Sequence, residues 1–137
     1  MPTTYEIDKQ RRLVITTVLD QLTLADGMAH QDKLLKDPDF DPSFSQLMDL
    51  TRANASDLNA SDIRKMAERT IFSPESRRAI VASSNLIYGF GRMFEILRET
   101  AGENGIRIFR DMDEAVDWLI SSNTAPERRM EQPGTNR

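Results

Sequence analysis

The heptapeptide F-S-Q-L-M-D-L, Phe44–Leu50, is the segment from which we infer the rest of the fold. It is short and mostly apolar; the turn-rich run D-P-D-F-D-P lies before it, and the polar run T-R-A-N-A-S-D-L-N-A-S-D follows it. A short apolar run between turn signals is typical of a strand that is buried on both faces of a sheet. In open α/β sheets, ligands bind beside the loops that follow such strands. The segment therefore predicts a largely parallel sheet and indicates where a site should lie on it.

Apolar periodicity, capping residues and turn signals predict four further strands and four helices. The predicted strands are Thr4–Ile7, Leu13–Leu19, Phe44–Leu50, Arg78–Ala82 and Ile106–Phe109. The predicted helices run from Thr23 to Lys36, from Asn59 or Ser61 to Ile71, from Ser84-Asn85 through an apolar stripe of Leu86 to Leu97, and onward from Asp111. Because strands alternate with helices, we predict an α/β fold with a mixed, mostly parallel five-stranded sheet flanked by four helices. The first strand is expected to be antiparallel.

Length and composition predict one soluble domain, residues 1–122, followed by a polar tail, residues 123–137, that we expect to be disordered. The chain has 137 residues, of which 18 are basic and 22 acidic, and its net charge of −4 argues against binding to nucleic acid. It contains no cysteine, which excludes disulfides and thiolate chemistry. No stretch resembles a signal peptide or a membrane span, so we predict a cytoplasmic protein.

The element order and four short sequence pieces resemble the STAS-domain superfamily, which includes the bacterial anti-sigma factor antagonists. These pieces are Asp49-Leu50 at the end of the central strand, R-R-A-I-V-A (77–82), G-F-G-R-M-F (89–94) and F-R-D-M-D-E-A-V-D-W-L (109–119). The resemblance covers roughly Tyr5 to Leu119 and is strongest to stand-alone bacterial STAS-like proteins. It implies a compact α/β domain that acts in signalling by binding partner proteins or small ligands, and not by catalysis.

One departure from that family concerns its phosphorylation site. The phospho-switch antagonists carry Asp-Ser-Ser-Gly or Asp-Ser-Thr-Gly after the central strand, whereas the corresponding residues here are Asp57-Leu58-Asn59-Ala60. Only the aspartate matches, so the family's phosphoacceptor does not carry over to this chain. Whether any serine or threonine is phosphorylated is left open.

We predict a recognition site at the carboxyl ends of the strands, where the long polar loop Thr51–Asn59 lies beside the starts of the following helices. The predicted binding residues are Asp49, Thr51, Asn54, Ser56, Asp57, Ser61, Ser84, Asn85, Gly89 and Gly91. The two glycines fall inside a predicted helix, where each costs about 1 kcal/mol relative to alanine. Close helix packing would explain them, and so would a ligand groove or a contact with a partner protein.

Other chemistry-bearing residues favour ordinary structural roles. His30 is the single histidine, no zinc-type spacing surrounds it, and we expect it on the solvated side of the first helix. Asp37, Asp39 and Asp41 alternate as in a calcium loop but lack its glycine and distal glutamate. The pair Arg77-Arg78 is expected at a solvated strand edge. We therefore predict no catalytic residue, no metal site and no cofactor.

The sequence thus predicts a non-enzymatic regulatory domain that binds a partner protein. The alternative is a small carrier of lipid or another apolar ligand, since relatives with this fold hold lipids in a helix-lined pocket. A large internal cavity would favour the carrier, and a filled core would count against it. We also predict a homodimer, because Tyr88, Phe90, Met93 and Phe94 form a broad apolar arc on the third predicted helix.

Overall fold

A computed structural model describes residues 3–124 and contains five strands and four helices in the predicted order. The strands are β1 (Thr3–Asp8), β2 (Leu13–Gln21), β3 (Ser45–Asn54), β4 (Arg78–Val81) and β5 (Ile106–Phe109). The helices are α1 (Leu24–Lys36), α2 (Ala60–Ala67), α3 (Asn85–Thr100) and α4 (Met112–Thr124). Helix α4 extends two residues into the predicted tail, and the rest of that tail lies outside the described residues.

The strands form one sheet in the order β1-β2-β3-β4-β5, in which only β1 is antiparallel to its neighbour. Each parallel step moves one strand further across the sheet in the same direction. Right-handed crossovers therefore place α1, α2 and α3 on the same face. Helix α4 follows the last strand and packs on the opposite face.

Side chains alternate between these two faces along every strand. Two apolar clusters are buried between the sheet and α1–α3. One includes Val18, Leu50 and Ile80, and the other includes Val14 and Leu34. Toward α4, a smaller cluster contains Leu47, Ala79, Val81, Phe109 and Leu119. Leu47 is buried, as its place in the central strand requires.

The helix starts follow the capping residues in the sequence. Thr23 accepts a hydrogen bond from the amide of Asp26, and Ser84 accepts one from Ile87. Asn59, and not Ser61, caps α2, because its side chain and that of Asp62 form a reciprocal capping box. Helix α2 ends at Ala67, before the predicted end at Ile71.

The central strand continues four residues past its predicted end, and this shortens the recognition loop. Residues Thr51–Asn54 are polar or small, a composition that predicts a loop. In the structure they belong to β3 and pair with the end of β2. A register shift between Thr17 and Leu19 allows β2 to continue far enough to do so. The connection to α2 is therefore Ala55–Asn59, five residues, which is an ordinary length for such a link.

Candidate functional site

Half of the ten predicted recognition residues, at the carboxyl edge of the sheet, are held by local hydrogen bonds. Asp49 Oδ1 accepts from the amide of Thr51 (2.9 Å) and from its hydroxyl (2.6 Å). Asn54 Oδ1 accepts from the amide of Ser56 (2.8 Å) in an Asx turn. Ser83 donates to the carbonyl of Thr51 at 2.7 Å, which joins this edge to the end of β4.

The remaining predicted residues separate into exposed positions and one buried position. Asp57, Ser61, Ser84, Asn85 and Gly89 are all exposed at or near this edge. Gly91 is buried, and an added Cβ there would collide with the side chain of Ile108. Close helix packing is therefore the role of Gly91, whereas Gly89 has open space around it.

A second group of polar residues, which the sequence prediction missed, lies inside the protein on the face covered by α1–α3. His30, Thr16, Gln46, Arg78, Glu103 and Arg98 form a continuous hydrogen-bonded series, which we call the buried polar chain. None of the six is more than 8% exposed. Two predictions were therefore wrong: His30 is not on a solvated helix face, and Arg78 is not at a solvated strand edge.

Strand register brings the first half of this chain together. Gln46 pairs with Arg78 across β3 and β4, and Thr16 lies on the next strand, where it pairs with Met48. Gln46 Nε2 donates to Thr16 Oγ1 at 3.0 Å, and Arg78 Nε donates to Gln46 Oε1 at 3.2 Å. These positions are near the amino ends of β3 and β4, at the opposite end of the strands from the predicted site.

His30 closes one end of the buried polar chain. Its Nε2 is 3.0 Å from Thr16 Oγ1, and its ring meets the edge of Tyr5 with ring centroids 5.5 Å apart. Burial and, to a smaller extent, the positive charges of Arg78 and Lys33 together lower the pKa of His30 from 6.5 to about 4. At neutral pH the imidazole is therefore uncharged.

At the other end, two guanidinium groups share one carboxylate. Arg98 Nε donates to Glu103 Oε1 at 2.9 Å, and Arg78 Nη1 donates to Glu103 Oε2 at 3.3 Å. Arg98 Nη1 also donates to the carbonyl of Ala67, where the negative end of the α2 dipole lies. Because His30 is neutral, the buried polar chain carries one net positive charge.

The guanidinium of Arg78 lies close to two aromatic rings. Its central carbon is 4.6 Å from the ring centroid of Phe72 and 5.6 Å from that of Phe94. Burial lowers the pKa of Arg78 and the Glu103 carboxylate opposes this change. An arginine remains charged in such a setting.

The buried polar chain borders a cavity of about 110 Å³ between the sheet and α1–α3. Most of the wall is apolar and includes Val18, Leu50, Leu58, Ile63, Ile80 and Phe94. The polar part of the wall includes Thr16, His30, Gln46 and Arg78, which belong to the buried polar chain. The cavity thus has a mainly apolar wall and a polar part that carries a positive charge.

Two further observations bear on the predicted absences. Within residues 3–124, no helix combines the length and apolar character that crossing a membrane requires. In the same part of the chain, no cluster of three or more histidine and acidic residues has a metal-binding arrangement. The alternating aspartates serve turns instead: Asp37 accepts from the amide of Asp39, and Asp41 accepts from that of Ser43.

Comparison with known proteins identifies the fold. No protein-family model and no curated protein matched the chain. Among solved structures, it is similar to an uncharacterised protein of the DUF3478 family from Shewanella loihica, which is described as having a SpoIIAA-like fold. The likeness covers 85% of this chain and 91% of that one, with a TM-score of 0.53 and 20% sequence identity. At that identity the likeness establishes architecture alone, and it confirms the STAS-type α/β fold expected from the sequence.

Proposed function

We propose that this protein binds a small apolar ligand in the cavity between its sheet and helices α1–α3. The observation that carries the proposal is the cavity itself, a space of about 110 Å³ in the larger core of a small domain. Ligand sites are typically concave, mainly apolar, and equipped with a few convergent polar groups. This cavity has that composition, and its volume is below the roughly 300–1,000 Å³ of pockets for drug-sized ligands, so the ligand that we propose is small.

The energetic argument supports a role for this space. A cavity that side chains leave unfilled costs about 24 cal/mol per Å³, which for this volume is about 2.6 kcal/mol of folding stability. An apolar cavity of about 150 Å³ in another protein binds benzene. Three methionines in the wall, Met28, Met48 and Met66, have flexible side chains that can adapt to a ligand of similar size.

The proposal is tested by titrating the protein with hexan-1-ol and following backbone amide shifts by NMR. We expect saturable shifts that map to α1–α3 and to the strand residues lining the cavity. Met66→Trp should abolish them by filling the cavity. Met112→Trp is the matched control, because Met112 is also partly buried but packs on the α4 face. No saturable shift in the wild type, or equal shifts in both variants, would contradict the proposal.

We further propose that the protein acts by binding without catalysis. Thr16 and His30, which bring a hydroxyl and an imidazole to the cavity, are hydrogen-bonded to each other inside the core. A neutral, enclosed imidazole with a pKa of about 4 is poorly matched to proton transfer near pH 7. This favours a structural or ligand-contacting role for both residues. Cytoplasmic location stays a prediction.

A second candidate function is recognition of a partner protein at the carboxyl edge of the sheet. Leu86 is 50% exposed there, beside the exposed polar residues Ser84 and Asn85, although the sequence predicted it to face the core. An apolar side chain with a polar rim is typical of a protein contact. If this edge binds a partner, Asp57→Ala and Ser56→Glu should weaken a pull-down without lowering the melting temperature. An unchanged pull-down would remove this candidate.

The predicted homodimer has less support than the sequence indicated. Tyr88, Phe90, Met93 and Phe94 are half-buried against the larger core and do not form a free apolar arc. The exposed apolar side chains of α3 are Leu86 and Ile96. Dimerisation stays a prediction, which light scattering at high protein concentration can check.

A further inference from the structure

We infer that the ligand of this cavity carries a carboxylate and that Arg78 binds it. This inference rests on the proposed function and specifies the chemical class of the ligand. It follows from three features of the cavity: the sign of its charge, the free hydrogen-bond donors at its wall, and the net charge of the group behind that wall.

The charge at the cavity wall is positive. Arg78 is the charged residue among those that line the cavity within residues 3–124, and no carboxylate from that part of the chain lines it. Its partner Glu103 is shared with Arg98, so one acidic group serves two buried cations. A ligand with one negative charge would neutralise this group, whereas an ammonium ligand would be repelled by it.

One polar group at the wall is a donor that suits a carboxylate. Arg78 donates through Nε to Gln46 and through Nη1 to Glu103, and neither of these hydrogen bonds uses its Nη2. Thr3 Oγ1 and Gln31 Oε1, from two other residues that line the cavity, are buried and have no hydrogen-bond partner among residues 3–124. The threonine hydroxyl can donate to a ligand, whereas the glutamine oxygen only accepts. A carboxylate accepts charge-assisted hydrogen bonds from a guanidinium, so the Nη2 of Arg78 is the donor that we assign to it.

The size of the charge distinguishes a carboxylate from a phosphate. The buried polar chain has one net positive charge, so a monoanion leaves the enclosed group neutral. A dianionic phosphate monoester would leave a buried negative charge, which is costly in a mainly apolar setting. A carboxylate is also the smaller head group, and therefore leaves more of the cavity to the apolar chain.

The experiment compares hexanoate, hexan-1-ol, hexylamine and hexyl phosphate at pH 7.5, since the four probes share one chain and differ in the head group. Affinities are measured by calorimetry or NMR with the full-length protein. We expect hexanoate to bind at least tenfold more tightly than hexan-1-ol, as a hydrogen bond to a charged group provides. Hexylamine should bind most weakly, and hexyl phosphate more weakly than hexanoate.

The outcomes separate this inference from the proposed function. If hexan-1-ol and hexanoate bind equally, the carboxylate inference fails and the apolar site stands. If hexyl phosphate binds more tightly than hexanoate, the carboxylate assignment fails. If none of the four binds, the proposed function fails and this inference with it. All three results come from the wild-type protein, so none depends on a variant that folds.

A variant then tests the residue assignment. Arg78→Met should remove the preference for hexanoate over hexan-1-ol and retain binding of the alcohol. The substitution leaves Arg98 and Glu103 as a neutral pair, so the core keeps a charge balance. Arg92→Met is the matched control, because Arg92 is exposed on α3 and pairs with Glu95 instead. A preference that survives Arg78→Met would overturn the role of Arg78.

Discussion

His30 should give the stability of this protein a pH dependence whose sign and size can be worked out from its burial. In the folded protein, burial and, to a smaller extent, the charges of Arg78 and Lys33 together lower the pKa of His30 from 6.5 to about 4. In the unfolded chain the pKa returns to about 6.5. Above that pH the imidazole is neutral in both states, and it contributes no pH dependence.

As the pH falls below about 6.5, the unfolded chain binds a proton that the folded protein does not bind. The free energy of unfolding therefore falls with pH, and this loss ends near pH 4, where the folded protein also becomes protonated. The full shift corresponds to about 3 kcal/mol. Linkage gives about 1.4 kcal/mol of this loss at pH 5.5 and about 2 kcal/mol at pH 5.0.

The perturbation is His30→Gln, which cannot titrate in this range but retains a group able to hydrogen-bond to Thr16. Urea unfolding is followed by the fluorescence of Trp118, the single tryptophan, at pH 7.5, 6.5, 5.5 and 5.0. Carboxylates also lose stabilising contacts as the pH falls, but they do so equally in both proteins. Since the chain has one histidine, the difference between the two curves isolates His30.

We expect the wild type to lose about 2 kcal/mol more than His30→Gln between pH 7.5 and 5.0. Curves that stay parallel within about 0.5 kcal/mol would refute the reasoning. That result would mean that the imidazole takes up a proton in the folded protein as readily as in the unfolded chain. An NMR titration of the His30 ring with a midpoint near 6.5, instead of about 4, would refute the reasoning directly.

Two other predictions concern the buried carboxylate Glu103 and the glycines Gly105 and Gly89. Glu103→Gln removes the only carboxylate of the buried polar chain and should cost about 3–5 kcal/mol, whereas the same change at exposed Glu99 should cost about 0.5 kcal/mol or less. If urea unfolding shows that both variants lose a similarly small free energy of unfolding, this account of the buried charges is contradicted. Gly105→Ala places a Cβ against the backbone carbonyl of Ser76 and should therefore destabilise the protein. Gly89 lies in a helix with open space around it, so Gly89→Ala should raise the free energy of unfolding by about 1 kcal/mol. The opposite order of melting temperatures would show that these backbones adapt.

The fold was predictable because its signals are local. Apolar runs, caps and turn residues lie within a few positions of one another, and they gave the order of all nine elements and the bounds of β5. The end of β3 was not predictable in this way. Its last four residues look like a loop, and they form a strand because the distant end of β2 offers them backbone partners.

The candidate site was harder to predict because its residues are polar and far apart in sequence. The buried polar chain spans Thr16 to Glu103, and no two of its members are direct neighbours along the chain. Each residue alone fits a solvated position, which is how His30 and Arg78 were interpreted. Their burial follows from the way β2, β3, β4 and α1 assemble, and no local pattern reports that.

One signal for the site was nevertheless present in the strand alternation. Each polar residue lies two positions from an apolar core residue of its own strand and therefore shares its face: Thr16 with Val14 on β2, Gln46 with Met48 on β3, and Arg78 with Ile80 on β4. Each of three adjacent strands therefore places one polar residue on its helix-covered face. One such residue is common, but three on neighbouring strands predict a shared polar cluster, since an isolated buried polar group is costly.

The identity of those three residues also argues that stability alone does not account for them. Replacing a buried ion pair with well-packed apolar residues is often neutral or stabilising, by about 1–4 kcal/mol. Here the arrangement is costlier than a pair, because Arg78 and Arg98 share the single carboxylate of Glu103, so the group has one uncompensated positive charge. The same core also leaves a cavity beside Arg78 that larger side chains could fill. Two separate costs to stability meet at one place, and a ligand with an apolar chain and a negative head would offset both.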